Sequence, residues 1–381
     1  MEVVDEETRA RRDRCRTFLS GDGNVPPAEL LLSIGESVVP DTYGEGGVVA
    51  ELESMVAELL GFPAAVFLPS GTMAQAATLR VHADERGRRT VLWHPMCHLD
   101  THEGEAYSRV HGLVGRAVGD QHRLLTLDDL EAVAEPGAAL LLELPQRDLG
   151  GQLPEWDELA AQVAWAHRNG AAAHLDGARL WEASAGYGRS PAEIASLFDT
   201  AYVSFYKGIG ALPGCCVAGP TNVVAQVREW RRRLGGTLHG MWPAAASAFH
   251  LLRERLAEMP ERLLHARAIS AALADVNGVR VVPDPPQTPM MHLLFAVPPE
   301  QFVANARRLA DEQGIWVWPR PMTTGDPGVV RCELSVGRAT CRLEPKQVVA
   351  VLQALCRADH RLAGPSAFPG HTGTRGAYPG Q

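Results

Sequence analysis

The sequence contains no run of 18 uninterrupted apolar residues, and its first segment, Met1 to Arg16, is rich in charge with no apolar stretch. Those absences argue against a membrane-spanning helix and against a secretion signal. Positive charge is not in excess: the formal net charge is -9. That argues against a general nucleic-acid binder, whose electrostatic footprint is a basic surface. Paired Cys-x-x-Cys spacing is also missing. The seven cysteines, Cys15, Cys97, Cys215, Cys216, Cys332, Cys341 and Cys356, are odd in number and scattered. They read as reduced thiols of a cytoplasmic protein, with no zinc site, redox pair or disulfide scaffold. There is no internal repeat. No GxGxxG follows the first core strand, which sets a dinucleotide-binding Rossmann protein far down the order of readings.

What is present is a chain of 381 residues, 46% hydrophobic and 21% charged, the composition of a globular protein large enough for two domains. Met1 to Arg16 reads as an exposed charged helix, followed by a turn-rich loop over Ser20 to Pro27. Leu52, Met55, Val56, Leu59 and Leu60 recur at helical spacing up to Gly61, which reads as a C-terminal cap. Ala64–Leu68 is a strand candidate that runs into Ser70-Gly71-Thr72 and a helix over Met73–His82. The same rhythm continues through strands at Thr90–Trp93, Ala138–Leu144, Ala171–Leu175, Ala201–Phe205 and Cys215–Ala218, with helices at Leu127–Ala134 and Trp156–Arg168. Such alternation predicts an α/β fold with a mostly parallel sheet covered on both faces.

Beyond Gly235 a long helical region, Pro243–Ala274, precedes strand candidates at Val279–Val282, His292–Val297, Trp316–Trp318 and Val329–Ser335, the pattern of a smaller α+β domain. The expected organisation is an arm over 1–17, a large domain over 18–235, a small domain over 236–357 and a disordered tail over 358–381. The Arg-dense run Arg228, Arg231, Arg232, Arg233 reads as a solvated helix face, with a phosphate or carboxylate site as the alternative.

Three segments carry the chemistry together: Ser70-Gly71-Thr72 at a helix start, His174-Leu175-Asp176-Gly177-Ala178-Arg179 at a strand end, and Lys207 within Ser204-Phe205-Tyr206-Lys207-Gly208. Singly, Ser70 reads as a simple cap, Asp176 as a turn residue and Lys207 as a surface lysine. As an ordered trio they match what pyridoxal 5'-phosphate (PLP) requires. PLP is an electron sink only while its pyridine nitrogen is protonated, which a fixed carboxylate enforces, and Asp176 is that candidate. Its aldehyde needs an amine, for which Lys207 is the candidate. Its phosphate needs donors without competing negative charge, and the N–H groups around Ser70, Gly71 and Thr72 supply them.

These residues resemble the low-specificity threonine aldolase and β-eliminating lyase family, within the aspartate-aminotransferase-like fold, PLP fold type I. The likeness runs over about residues 18 to 340. It passes through Tyr43-Gly44-Glu45, Phe67-Leu68-Pro69-Ser70-Gly71-Thr72-Met73-Ala74, His98 with Glu103, Leu142-Glu143, Gly150-Gly151, the specific His174-Leu175-Asp176-Gly177-Ala178-Arg179-Leu180, and Lys207-Gly208. The resemblance implies a large domain built on a seven-stranded type of sheet, and a homodimer or homotetramer with active sites between subunits. It implies that His98 stacks on the cofactor ring, where the residues alone read as a satisfied loop histidine. It also implies that Asp176 pairs with the ring nitrogen, that Lys207 carries the Schiff base, and that Arg179 lies near the cofactor or the substrate carboxylate. Arg331 resembles a carboxylate-binding arginine, since a guanidinium fork suits a carboxylate. Ser20 falls near the position of a substrate-side serine.

Three departures bear on the substrate. A histidine usual in the family's Leu-Glu-Asn-Thr-His segment is replaced by Gln146, which forms hydrogen bonds but cannot act as a general base. The serine before the lysine is Tyr206. An arginine of a glycine-rich segment is His239. The expected activity is therefore a PLP-dependent lyase on an amino acid, foremost retro-aldol cleavage of a β-hydroxy-α-amino acid such as threonine. The alternatives are β-elimination or transfer on another amino acid, or a binding protein that retains the fold without turnover.

Overall fold

The computed structural model describes residues 5–35 and 37–357. Met1 to Val4 of the expected arm and the whole stretch from Ala358, expected to be disordered, lie outside the described residues. Seven strands form the main sheet: β1 (Ala64–Leu68), β2 (Thr90–Trp93), β3 (Val114–Ala117), β4 (Ala139–Glu143), β5 (Ala172–Gly177), β6 (Thr200–Ser204) and β7 (Cys215–Gly219). Their spatial order is β1, β7, β6, β5, β4, β2, β3. All pairings are parallel except those of β7, which runs antiparallel to both β1 and β6. Two reversals in a row restore direction, so β1, β4, β5 and β6 end at one edge of the sheet. In open α/β sheets that carboxyl edge is where ligands sit.

The central strands are apolar on both faces because both faces are covered: every residue of β5, β6 and β7 is buried. Helix Gly47–Leu60 lays Val49, Leu52, Val56 and Leu60 on one face. Helices Gly71–Arg86 and Thr221–Arg233 cover part of the other with Ala74, Ala77, Val81, Val223, Val224 and Val227. Burial of each such Val or Leu contributes about 1.5–3 kcal/mol. Gly61, with φ of +69°, closes the first of these helices.

The later part of the chain forms a four-stranded antiparallel sheet ordered Met322–Thr323, Val330–Ser335, Met290–Phe295, Val279–Val282. The helical region read as continuous from Pro243 divides into Trp242–Ala257 and Met259–Leu273. Pro260 opens the second, a position where its missing N–H costs nothing. Along Val330–Ser335 burial alternates: Val330, Cys332 and Leu334 enter the core, which turns Arg331, Glu333 and Ser335 to the opposite face. Thr17–Phe18 pairs in parallel with Ile315–Trp316, and Leu19 is buried in this C-terminal core. Residues 17–19 thus pack with the C-terminal unit, where the sequence places residue 18 at the start of the large domain. The pairing brings Ser20 beside Ser335.

Candidate active site

Asp176 stands next to last in β5 and is buried. Its Oδ2 accepts a hydrogen bond from Gln75 Nε2 at 2.6 Å and its Oδ1 accepts from the Ala178 N–H at 3.0 Å. In the parallel register Asp176 pairs with Glu143 on one side and Tyr202 on the other. Loss of hydration, reinforced by the Asp176 charge, raises the Glu143 carboxyl to about 8. Glu143 accepts from the Arg147 N–H at 3.1 Å and from Gln146 Nε2 at 3.1 Å.

Lys207 follows β6 in a loop that Gly208 turns with φ of +60°. It is one of two lysines in the chain. Its Nζ lies 5.6 Å from the centre of the Tyr206 ring. Burial pushes the Lys207 ammonium below its usual range, and the Asp176 charge opposes that shift.

Lys207 and Asp176 line one cavity of about 270 Å³, together with Ser70, Gly71, Thr72, Gln75, His98, Glu103, Glu143, Arg147, Arg179, Tyr202 and Tyr206. Ser70 caps helix Gly71–Arg86, its side chain accepting from the Met73 N–H at 3.3 Å. Helix starts leave free N–H groups and a partial positive charge, so this wall suits an anion. Gly71 has no room for a side chain: a Cβ there would lie 2.3 Å from the Tyr202 hydroxyl. His98 engages Glu103 Oε1 through Nδ1 at 2.9 Å. Arg179 donates to Glu333 Oε1 at 3.3 Å, and Arg147 Nε stands 2.7 Å from Glu333 Oε2. Glu333 thereby ties two arginines of the cavity together.

Ser20 and Arg331 do not line this cavity. They face an adjoining one of about 380 Å³ that also contains Phe18, Trp316, Trp318 and Glu333, and Arg147 lines both. The Arg331 Nε is buried without a hydrogen-bond partner. Gln146 is buried and does not line the cavity; it donates to Glu143, which does, and to the Met96 carbonyl. The Arg-dense run needs a correction: Arg232 and Arg233 are solvated, but Arg231 is fully buried. Its guanidinium donates to the Phe67 carbonyl at 2.8 Å and lies 3.9 Å from Glu53. It secures the end of β1 instead of facing water.

Residues 34–296 match the family model for beta-eliminating lyases. The chain belongs to the beta-eliminating lyase family. Among its relatives is the low-specificity L-threonine aldolase 1 of Arabidopsis thaliana, 27% identical, with the match spanning 72% of this chain and 79% of that protein. A solved structure from Listeria monocytogenes, provisionally named L-allo-threonine aldolase, is 34% identical with a TM-score of 0.86, covering 91% of this chain and 97% of that one. A structure of SPT with a PLP internal aldimine shares the fold alone, at 19% identity and a TM-score of 0.66 over 89% and 86% of the two chains. The architecture is PLP fold type I. Within the beta-eliminating lyase frame, Gln75 and Arg147 are cavity residues that the sequence does not single out; a polar residue one helical turn past the Ser-Gly-Thr start was the available signal for Gln75.

Proposed function

We propose that the chain is a PLP-dependent carbon–carbon lyase that cleaves a β-hydroxy-α-amino acid between Cα and Cβ, giving glycine and an aldehyde. The observation that carries this reading is the shared cavity of Asp176 and Lys207. The residues present suit PLP on three counts. Among the described residues Lys207 has no carboxylate within ion-pair or hydrogen-bond distance, and it is a candidate amine for the aldehyde. Gln75 keeps its Oε1 without a partner at the cavity wall while its Nε2 fixes Asp176. Gly71, packed against the Tyr202 hydroxyl, stands at a helix start whose free N–H groups and partial positive charge suit a phosphate.

When bound, PLP supplies a cationic ring system that takes up the electron pair released as a bond at Cα breaks. The remaining work belongs to the side chains. Asp176, held by two N–H donors, supplies the fixed negative charge for the ring nitrogen. Lys207, its ammonium weakened by burial, offers a larger share of nucleophilic free amine near neutral pH than an exposed lysine. Arg179 and Arg331 are the forks for the substrate carboxylate, with Ser20 beside Arg331 in the adjoining cavity. His98, its Nδ1 engaged by Glu103, has Nε2 available to hold the proton that leaves the β-hydroxyl.

One observation favours a second reading, β-elimination or transfer on another amino acid: Gln146 offers no base and does not line the cavity. Product analysis separates the two. Glycine plus aldehyde from L-threonine or phenylserine supports cleavage, whereas ammonia with the matching 2-oxo acid, pyruvate where the substrate has a three-carbon skeleton, supports elimination. A homodimer or homotetramer remains part of the proposal, testable by light scattering of the purified chain.

A further inference from the structure

Beside the lysine loop lies a third polar space with its own carboxyl group, bordered by Arg12, Gly23 and Ser335, which also line the cavity of Ser20 and Arg331. Glu182 sits in the helix Leu180–Tyr187, three residues past Arg179, and is 6% exposed. Its carboxylate lies flat against Gly208: a Cβ on that glycine would stand 2.4 Å from Glu182 Oε1 and 3.0 Å from Oε2. Only glycine, in a left-handed conformation, lets the lysine loop approach this close. Glu182 and Lys207 line the same cavity of about 470 Å³.

Glu182 has no ion pair within 4.0 Å among the described residues, and its Oε2 has no hydrogen-bond partner. A buried carboxyl with one oxygen left without a partner is costly, and packing alone does not account for it. The charged and titratable groups around it are Arg179 on its own helix turn, Arg262, Lys207, Tyr206, Asp22 and Arg12, and Lys207 itself also faces Asp176, Glu143 and Arg147. Arg262 is already committed: it donates to Glu258 at 2.7 Å and to the Gly208 carbonyl at 2.9 Å, and stands 3.5 Å from Asp22. It clamps the lysine loop without neutralising Glu182.

We propose that Glu182 is the proton-exchange partner of Lys207. In the exchange one N–H bond of the Lys207 ammonium breaks and one O–H bond forms on the Glu182 carboxylate. A cation and an anion become a neutral amine and a neutral acid. Because the pair's total charge is zero before and after, the transfer adds no net charge to a poorly hydrated space, where net charge is most costly. The carboxyl thus lets the lysine shed and recover a proton without bulk water. Burial raises the Glu182 carboxyl from the ordinary range, opposed by Arg179, Arg262 and Lys207, which brings it toward the lysine in acidity.

The proposal rests on Lys207 being the reactive amine, but its test does not require PLP. The full chain, freed of bound small molecules, is trace-labelled with acetic anhydride across pH 6–10. Labelling of Lys207 is read by mass spectrometry against exposed Lys346, the only other lysine. A wild-type profile with two steps is expected, since a coupled pair titrates as a unit. Glu182→Gln should give one step with a midpoint about one unit lower, hence about tenfold faster labelling at pH 7. Glu182→Asp, still titratable, should stay within about threefold of wild type if the carboxyl acts as a proton partner. A single-step wild-type profile, or superimposed wild-type and Glu182→Gln curves, overturns the proposal; Glu143→Gln, labelled alongside, marks any step that belongs to Glu143, whose carboxyl near 8 lines a cavity with Lys207. Protection of Lys207 by PLP, measured alongside, bears on the functional reading alone.

Discussion

Glu143 and Asp176 are register partners on neighbouring parallel strands, so two carboxyl groups end side by side at the carboxyl edge of the sheet. Only one of them needs to be charged to hold a cationic ring nitrogen. Burial and the neighbouring Asp176 charge raise the Glu143 carboxyl to about 8, which makes it the partner that gives up its charge first.

The pair has a consequence for stability. Glu143 lies above its ordinary 4.5 in the folded chain, so the native state holds a proton that the unfolded chain releases. Its contribution is fully present below about pH 4.5 and is lost as pH rises through about 8. Glu143→Gln should flatten that slope. Thermal melts at pH 5 and pH 8 check it: the wild type should lose more stability between the two than the variant.

Gln75 supplies one of the two hydrogen bonds that fix Asp176. Gln75→Leu leaves a buried carboxylate short of a donor, at a cost of about 1–3 kcal/mol. Urea unfolding of the full chain should show that loss, and PLP affinity should fall with it.

Gly71→Ala places a methyl group 2.3 Å from the Tyr202 hydroxyl, inside a buried contact that cannot simply swing away. The start of the helix must shift. PLP affinity, measured by fluorescence titration, should drop by about tenfold or more, the loss expected when one charge-assisted hydrogen bond is misplaced.

Arg331 tests whether the adjoining cavity receives the substrate carboxylate. Arg331→Met should raise KM for the amino acid by about tenfold to a hundredfold, the range for a lost charged hydrogen bond. PLP affinity should be unchanged. Equal loss of both would place Arg331 in the support of the fold instead.

The strands that position the site were legible because buried parallel strands are apolar throughout, as in β5 and β6. The edge strand β3 was not: Val114, Gly115, Arg116 and Ala117 are half-buried or exposed, and no apolar run marks them. The antiparallel course of β7 leaves no trace in its composition, because burial on both faces makes either direction look alike. At the site, Asp176 and Lys207 stood out by their places at the end of one strand and just past another. Gln75, Arg147 and Glu182 did not, because what distinguishes them is proximity created by folding. Arg231 shows the same limit: an arginine bonded to a carbonyl more than 150 residues away looks like any other in a basic run.

The central claim is that Lys207 holds the cofactor. Incubation of the full chain with PLP, borohydride reduction and peptide mapping test it directly, with Lys346 as the only competing lysine side chain. The account predicts a reduced pyridoxyl group on Lys207, absent from Lys207→Ala and diminished in Asp176→Asn. A modification found only on Lys346 or the amino terminus, with Lys207 untouched, would contradict it.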